Sequence, residues 1–283
     1  MRLLLAAAVF ALMVSVGMSL KLRELIAHWR ALTWDQWLRL LLATFILPSA
    51  AALLLAKIFP MNLGETAGLF LVGATPGAPL LTRNLARRGF DMQLAASYQV
   101  WGAVLTPIML PLLVYGAAKL YSRNIWIPPR VVLWQIAEKE FVPLLVGIIL
   151  MRFAPELCGK AQPRVNMIGN AVLMLVFALL LWKMGPALKL VTPWTILAVL
   201  LLVIVSVGSM YLLLRTDEVR VRTLAVSNAN RHVGLALLLS GRYAHNRFSL
   251  PVIACYALAV ALLLVIAPRI FRPQDAATKM ATA

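Results

Sequence analysis

The residues able to do chemistry are concentrated in two short stretches. From Arg222 to Gly241 the chain reads R-T-L-A-V-S-N-A-N-R-H-V-G-L-A-L-L-L-S-G, which packs Ser227, Asn228, Asn230, Arg231 and His232 into six positions between apolar residues. A guanidinium in such surroundings costs at least ~2.5–3.5 kcal/mol on membrane-insertion scales, so it is kept where it faces protein interior or water and finds a partner. On a continuous helix Ser227 stands one turn before Arg231, and Asn228 one turn before His232. The alternative is a span that starts near His232, with Arg231 snorkelling to the headgroups. That leaves only Val233–Leu239 as deep apolar sequence, too short to cross. His232 is the one deep group whose unperturbed pKa, ~6.5, lies near neutrality. The adjacent Arg231 favours its neutral form, so a structural bond across the segment is the first reading and proton coupling the second.

The other stretch, Gly68–Ala86, reads G-L-F-L-V-G-A-T-P-G-A-P-L-L-T-R-N-L-A. Pro76 and Pro79 each remove a backbone N–H and displace the carbonyl four residues earlier, at Val72 and Thr75. Gly73 and Gly77 loosen the same turn. In lipid the freed groups must be buried in protein or line a wet cavity. Two prolines and Gly77 so close together predict a discontinuous helix rather than an ordinary kink. A pair of interrupted spans in corresponding positions of two halves is the sequence mark of a transporter built from inverted repeats, with substrate near the midplane where the breaks meet.

The elements that position these residues follow from composition. Of 283 residues, 62% are hydrophobic and 13% charged, and the mean hydropathy is +0.88. A soluble domain has about half its residues apolar and a quarter charged, so a water-soluble fold is excluded. Nine stretches approach the ~20 apolar residues of a transmembrane helix: Leu3–Leu20, Trp37–Ile58, Gly64–Ala86, Met92–Lys119, Val131–Phe153, Met167–Pro186, Pro193–Leu214, Thr223–Gly241 and Phe248–Pro268. The first, behind Arg2, is read as a retained span rather than a signal peptide, because it lacks a clear A-x-A-like cleavage site. Glu138, Lys139 and Glu140 put the first turns of the fifth in the interface, so the spans hold no carboxylate at depth. The net charge is +17. Basic residues divide sixteen to ten between the two sides, with Arg231 alone assigned to neither. By the positive-inside rule the N-terminus is outside and the C-terminus cytoplasmic. Trp34 and Trp37 flank the second span, while Trp182 and Trp194 bracket an outer loop. Long apolar stretches interrupt the basic residues, which excludes a nucleic-acid-binding face. Cys158 and Cys255 support neither a disulfide framework nor a zinc site.

At these motifs the chain resembles the bile acid:sodium symporter family. Gly73–Pro111, with G-A-T-P-G-A-P-L-L-T, D-M-Q-L-A and L-T-P-I-M-L-P, is similar to the family's C-P-G-G-x-x-S-N crossing helix and the helix after it, including the paired Pro107 and Pro111. Thr223–Leu237 resembles the second crossing helix, which typically carries E-x-G-x-Q-N before G-L-A. Val16–Leu20, V-G-M-S-L, is similar to the family's M-G-L-x-L. The resemblance spans nearly the whole chain. It implies an all-α polytopic membrane protein of about nine helices, one fewer than the family's fuller members. The repeats would cover about 1–121, without its first helix, and about 131–270, followed by a short cytoplasmic tail over 271–283. The departures fall on the family's sodium sites. Its Ser and Asn after the first break correspond to Leu81 and Thr82, and its Ser and Thr on the next helix to Ala95 and Gln99. Its Glu and Gln on the second crossing helix correspond to Ser227 and Arg231, and its Gln before a proline to Ala43, ahead of Pro48. A guanidinium and a sodium ion cannot share one small cavity, since unit charges 4 Å apart repel by ~4 kcal/mol at an effective dielectric of 20.

The sequence therefore points to a secondary active transporter of a small organic anion working by alternating access, sodium-independent, with Arg231 in place of bound sodium. Thr75, Thr82, Gln99, Ser227, Asn228, Asn230, Arg231 and His232 are the expected substrate-binding residues, and Pro76, Gly77 and Pro79 the helix-breaking ones. Two alternatives stand beside it: a sodium-coupled bile-acid-type symporter using backbone carbonyls at the breaks, and a non-transporting sensor or scaffold on a carrier fold. No Ser/His/Asp set, HExxH or paired carboxylate in the spans suggests an enzyme. The expected partners are the organic anion and the lipid bilayer, in a bacterial inner membrane, with no nucleic acid, cofactor or metal. The coupling ion, Na+ or H+, and the oligomeric state stay open.

Overall fold

The computed structural model of the chain describes residues 2–77, 90–121, 127–188, 191–214, 216–244 and 248–270, which are helical with no strand among them. In chain order the helices are α1 (Arg2–Gly17), α2 (Leu22–Arg30), α3 (Trp34–Leu41), α4 (Leu47–Ile58), α5 (Leu63–Ala74), α6 (Met92–Leu120) and α7 (Pro129–Ile136). They continue as α8 (Val142–Phe153), α9 (Pro155–Leu188), α10 (Pro193–Leu213), α11 (Glu218–Ala229), α12 (Val233–Leu239) and α13 (Ser249–Ile270). Three π turns join or extend them: Leu42–Ile46 between α3 and α4, Ala137–Phe141 between α7 and α8, and Ser240–Ala244 after α12.

Among the described residues four helices are long and apolar enough to cross a membrane: Trp34–Ile58, Met92–Leu120, Pro193–Leu213 and Ser249–Ala267. The expected third, fifth and eighth spans do not reach that measure among the described residues, for different physical reasons. α5 stops at Ala74 before Pro76, and α11 and α12 are two short pieces. The α7–α8 run carries Glu138, Lys139 and Glu140 at its middle. α9, of 34 residues, begins twelve residues before the expected Met167.

Two helix groups pack side by side. α1 lies against α8 and α9, so closely that a Cβ on Gly17 would sit 2.2 Å from Leu144 O and one on Gly147 2.1 Å from Val14 O. Small residues are what let membrane helices approach this far. The second group comprises α3–α6 and α10–α13, whose shared core includes Leu69, Leu110, Leu202, Leu239 and Tyr256. It is also tied by polar contacts at helix starts. Asn62 and Glu65 form a capping box at α5, and the other oxygen of Glu65 accepts from Thr195 Oγ1 at 2.7 Å.

The amphipathic helix α2 was not anticipated from sequence. Leu25 is buried on α6, where the Trp29 indole N–H donates to Ser97 O at 3.1 Å, while Leu22 and Ile26 face outward. The apolar spacing Leu22–Leu25–Ile26–Trp29 carries the signal, but nine residues is too short to register as a span.

Candidate functional site

A π turn prepares the acceptors of the site. The Leu47 N–H reaches back to Leu42 O instead of Ala43 O, and Pro48 has no N–H to offer Thr44 O. Two consecutive carbonyls are thereby freed in the protein interior, where orphan backbone groups must find partners. Asn228 and Arg231 supply them. Asn228 Nδ2 donates to Ala43 O at 3.1 Å and Ser206 O at 2.7 Å, and lies 3.0 Å from Ser209 Oγ. Its Oδ1 accepts from the Tyr98 hydroxyl at 2.7 Å, and that hydroxyl lies 3.0 Å from Thr44 Oγ1. Arg231 Nη1 donates to Thr44 O at 2.7 Å, and Nη2 lies 3.5 Å from Ser206 Oγ. Arg231 is 3% exposed, and no carboxylate pairs with it among the described residues.

The two helix breaks touch. α5 ends at Ala74, and Thr75, fully buried, turns to extended backbone. Its carbonyl accepts the His232 N–H at 3.3 Å, while its hydroxyl bonds back to Leu71 O. Gly77 lies so close to the second break that a Cβ there would stand 1.9 Å from Asn230 O. Only glycine permits that approach. On the other side, α11 ends at Ala229, and two tight turns, Arg231 N to Ala229 O and Val233 N to Arg231 O, lead into α12. The end carbonyl of α11 is capped by the Tyr256 hydroxyl at 2.7 Å. Because the helix stops at Ala229, Arg231 and His232 are not one turn along the same helix from Ser227 and Asn228.

His232 caps α12: its Nδ1 accepts the Leu235 N–H at 3.2 Å. Its Nε2 lies 2.5 Å from Glu140 Oε1. Glu140 is 3% exposed, whereas Glu138 and Lys139 face outward. The expectation that these turns stand wholly in the interface therefore fails for one residue: the π turn Ala137–Phe141 rotates Glu140 inward. Gln99, three residues before the Gly102 that packs on Pro76, is fully buried. Neither Gln99 Nε2 nor Oε1 has a hydrogen-bond partner among the described residues, and the same holds for Ser227 Oγ and Arg231 Nε. Asn230 is buried with its carbonyl on Gly77. Pro79 and Thr82 lie outside the described residues.

The structure thus brings Thr75, Asn228, Asn230, Arg231 and His232 together around the paired breaks. Sequence reasoning missed Tyr98, Ser206, Ser209, Tyr256 and Glu140. Pro48 and the two serines of an otherwise apolar span were the available signals. Beyond this cluster, a cleft of about 420 Å³ is lined by Arg130, Val131, Trp134 and Gln135 of α7 and Arg242 of the last π turn. Among the described residues no group of three or more His, Cys, Asp or Glu is placed to hold a metal ion.

A family model for the sodium bile acid symporter family matches residues 6–215, which takes in α10 and with it the first break and the π turn that receives Arg231. The chain belongs to the sodium bile acid symporter family. No curated protein matches it. As a member of the sodium bile acid symporter family it is an integral membrane protein of transporter type. Its Arg231 and His232 lie beyond the matched residues.

Proposed function

We propose that this protein is a sodium-independent secondary carrier of a small organic anion, working by alternating access on two inverted repeats whose discontinuous helices cross at the site. Arg231 serves as a built-in cation where relatives would bind sodium. One observation carries this reading. The carbonyls freed at Ala43 and Thr44, which could have formed part of a cation cage, are already taken by Asn228 Nδ2 and Arg231 Nη1. A resident positive charge beside them opposes entry of a second one. Arg130 and Arg242 on the cleft support an anionic substrate. The charge bias of the loops supports an external N-terminus and a cytoplasmic C-terminus.

The sodium-coupled reading keeps one observation in its favour: Gln99 Oε1 and Ser227 Oγ are buried oxygens without hydrogen-bond partners among the described residues. The two readings separate in one experiment. Organic anions (monocarboxylates, sulfonates and sterol carboxylates) are screened by thermal shift, and those that stabilise the protein are tested for uptake into proteoliposomes with sodium or choline as external cation. Equal uptake in the two cations is the expected result. Steep sodium dependence overturns the proposal, and stabilisation without flux points to a sensor.

A further inference from the structure

We infer that Glu140 is a proton-binding site whose protonation releases α8 from the break between α11 and α12. The inference deepens the carrier reading above and rests on it for its purpose, but not for its test. The Glu140–His232 pair joins the two helix groups: Glu140 belongs to the group packed on α1, and His232 to the group that holds the paired breaks. The tautomer follows from the geometry. His232 Nδ1 is committed to the Leu235 N–H, so the ring proton resides on Nε2 and is donated to Glu140 Oε1. The imidazole is neutral and the carboxylate carries the charge. Its second oxygen, Oε2, is buried with no partner among the described residues.

An incoming proton therefore has one open address. On Nδ1 it would displace the cap of α12; on Oε2 it displaces nothing. Once Oε2 is protonated, the bond from His232 Nε2 changes from charge-assisted to neutral, and such bonds are about half as strong. The buried charge that held the two groups in register is gone.

Neighbouring charges leave this address to Glu140. On its own π turn, Glu138 and Lys139 face outward. Arg231, beside His232, is committed to Thr44 O. From α5, Glu65 is held by the Asn62 N–H and Thr195. From α13, Tyr256 is held by Ala229 O, and Cys255 is half-buried. Arg130 of α7 and Arg242 of the last π turn line the cleft, Tyr243 of that turn packs on the shared core, and Arg152 stands exposed near the far end of α8. Residues 7–17 of α1 contain no titratable side chain.

The test needs no substrate. Cys158 and Cys255 are replaced by alanine, and spin labels are placed at Leu145→Cys on α8 and Leu262→Cys on α13, both exposed. Distance distributions are read by electron–electron double resonance in lipid nanodiscs at about pH 3.5 and about pH 7, either side of the ordinary glutamate value of about 4.3. Infrared difference spectra over the same interval report protonated carboxyl. The expected result is a shifted distribution at low pH in the parent protein and the low-pH distribution at both values in Glu140→Gln. The protonated-carboxyl band should be lost in the same variant. His232→Asn keeps a cap for α12 but removes the Nε2 donor; it should give the released distribution at both pH values while retaining the infrared band. An unchanged distribution in the parent, or a pH shift that survives Glu140→Gln, overturns the inference. Sodium-independent uptake beside a pH-insensitive distribution would sink this inference and leave the carrier reading standing. A pH-sensitive distribution without flux does the reverse.

Discussion

At the scale of single residues, Asn228 is the bolt of the site. Its amide serves two backbone carbonyls and a serine, and its oxygen takes the Tyr98 hydroxyl. Asn228→Ala leaves several buried groups unpaired and should lower stability by about 2–4 kcal/mol, read as the unfolding midpoint in detergent. Asn228→Asp should be worse, because it turns an acceptor toward Ala43 O and Ser206 O. Arg130→Gln with Arg242→Gln should raise KM for the anion identified by screening, leave kcat near the parent value and weaken the salt dependence of uptake. Sequence exposes Asn228 and Arg231 because polar residues in an apolar run are conspicuous. It hides Glu140 because three charged or acidic residues in a row, Glu138–Lys139–Glu140, look alike until the fold selects one face. It hides Tyr98 because an aromatic in an apolar helix carries no mark of its hydroxyl's partner.

Helices and turns bring a different set of consequences. Pro48 matters for what it lacks. Pro48→Ala supplies an N–H that competes with Arg231 for Thr44 O, so its effect on stability should be strongly non-additive with Arg231→Gln. A double-mutant cycle should give a coupling of about 1 kcal/mol or more. Gly77→Ala drives a methyl into Asn230 O and should abolish folding or separate the two breaks, whereas Gly116→Ala, with open space around it, should be neutral or stabilising by up to about 1 kcal/mol. Thermal midpoints of the two purified variants decide this. The interruption at Asn230–His232 falls inside the polar run that sequence singles out, because polar groups and an early helix end serve the same buried contacts. The π turns escaped notice because one extra residue per turn leaves no compositional trace. Proline follows each of the first two at the same spacing, Pro48 after Leu42–Ile46 and Pro143 after Ala137–Phe141.

For the whole molecule, the Glu140–His232 bond predicts that a pH gradient, acidic on the side of substrate entry, accelerates sodium-free uptake several-fold in the parent and has no effect in Glu140→Gln. A pH-jump assay in proteoliposomes measures both. The all-helical class and membrane residence are legible from composition alone, since no aqueous core could hide so much apolar side chain. The number of crossings is less so, because helix breaks and buried charge interrupt the hydropathy on which counting depends. The group that carries the site also carries tryptophans at the starts of two of its long helices. Trp34, the first residue of α3, stands 90% exposed, and Trp194, 51% exposed and stacked on Phe59, lies in the first turn of α10. Indoles prefer the headgroup layer, and on the proposed orientation these two would lie in opposite leaflets. Displacing this group along the membrane normal must push one indole out into water and draw the other into hydrocarbon. Acyl-chain length therefore belongs among the variables that set how fast the protein turns over.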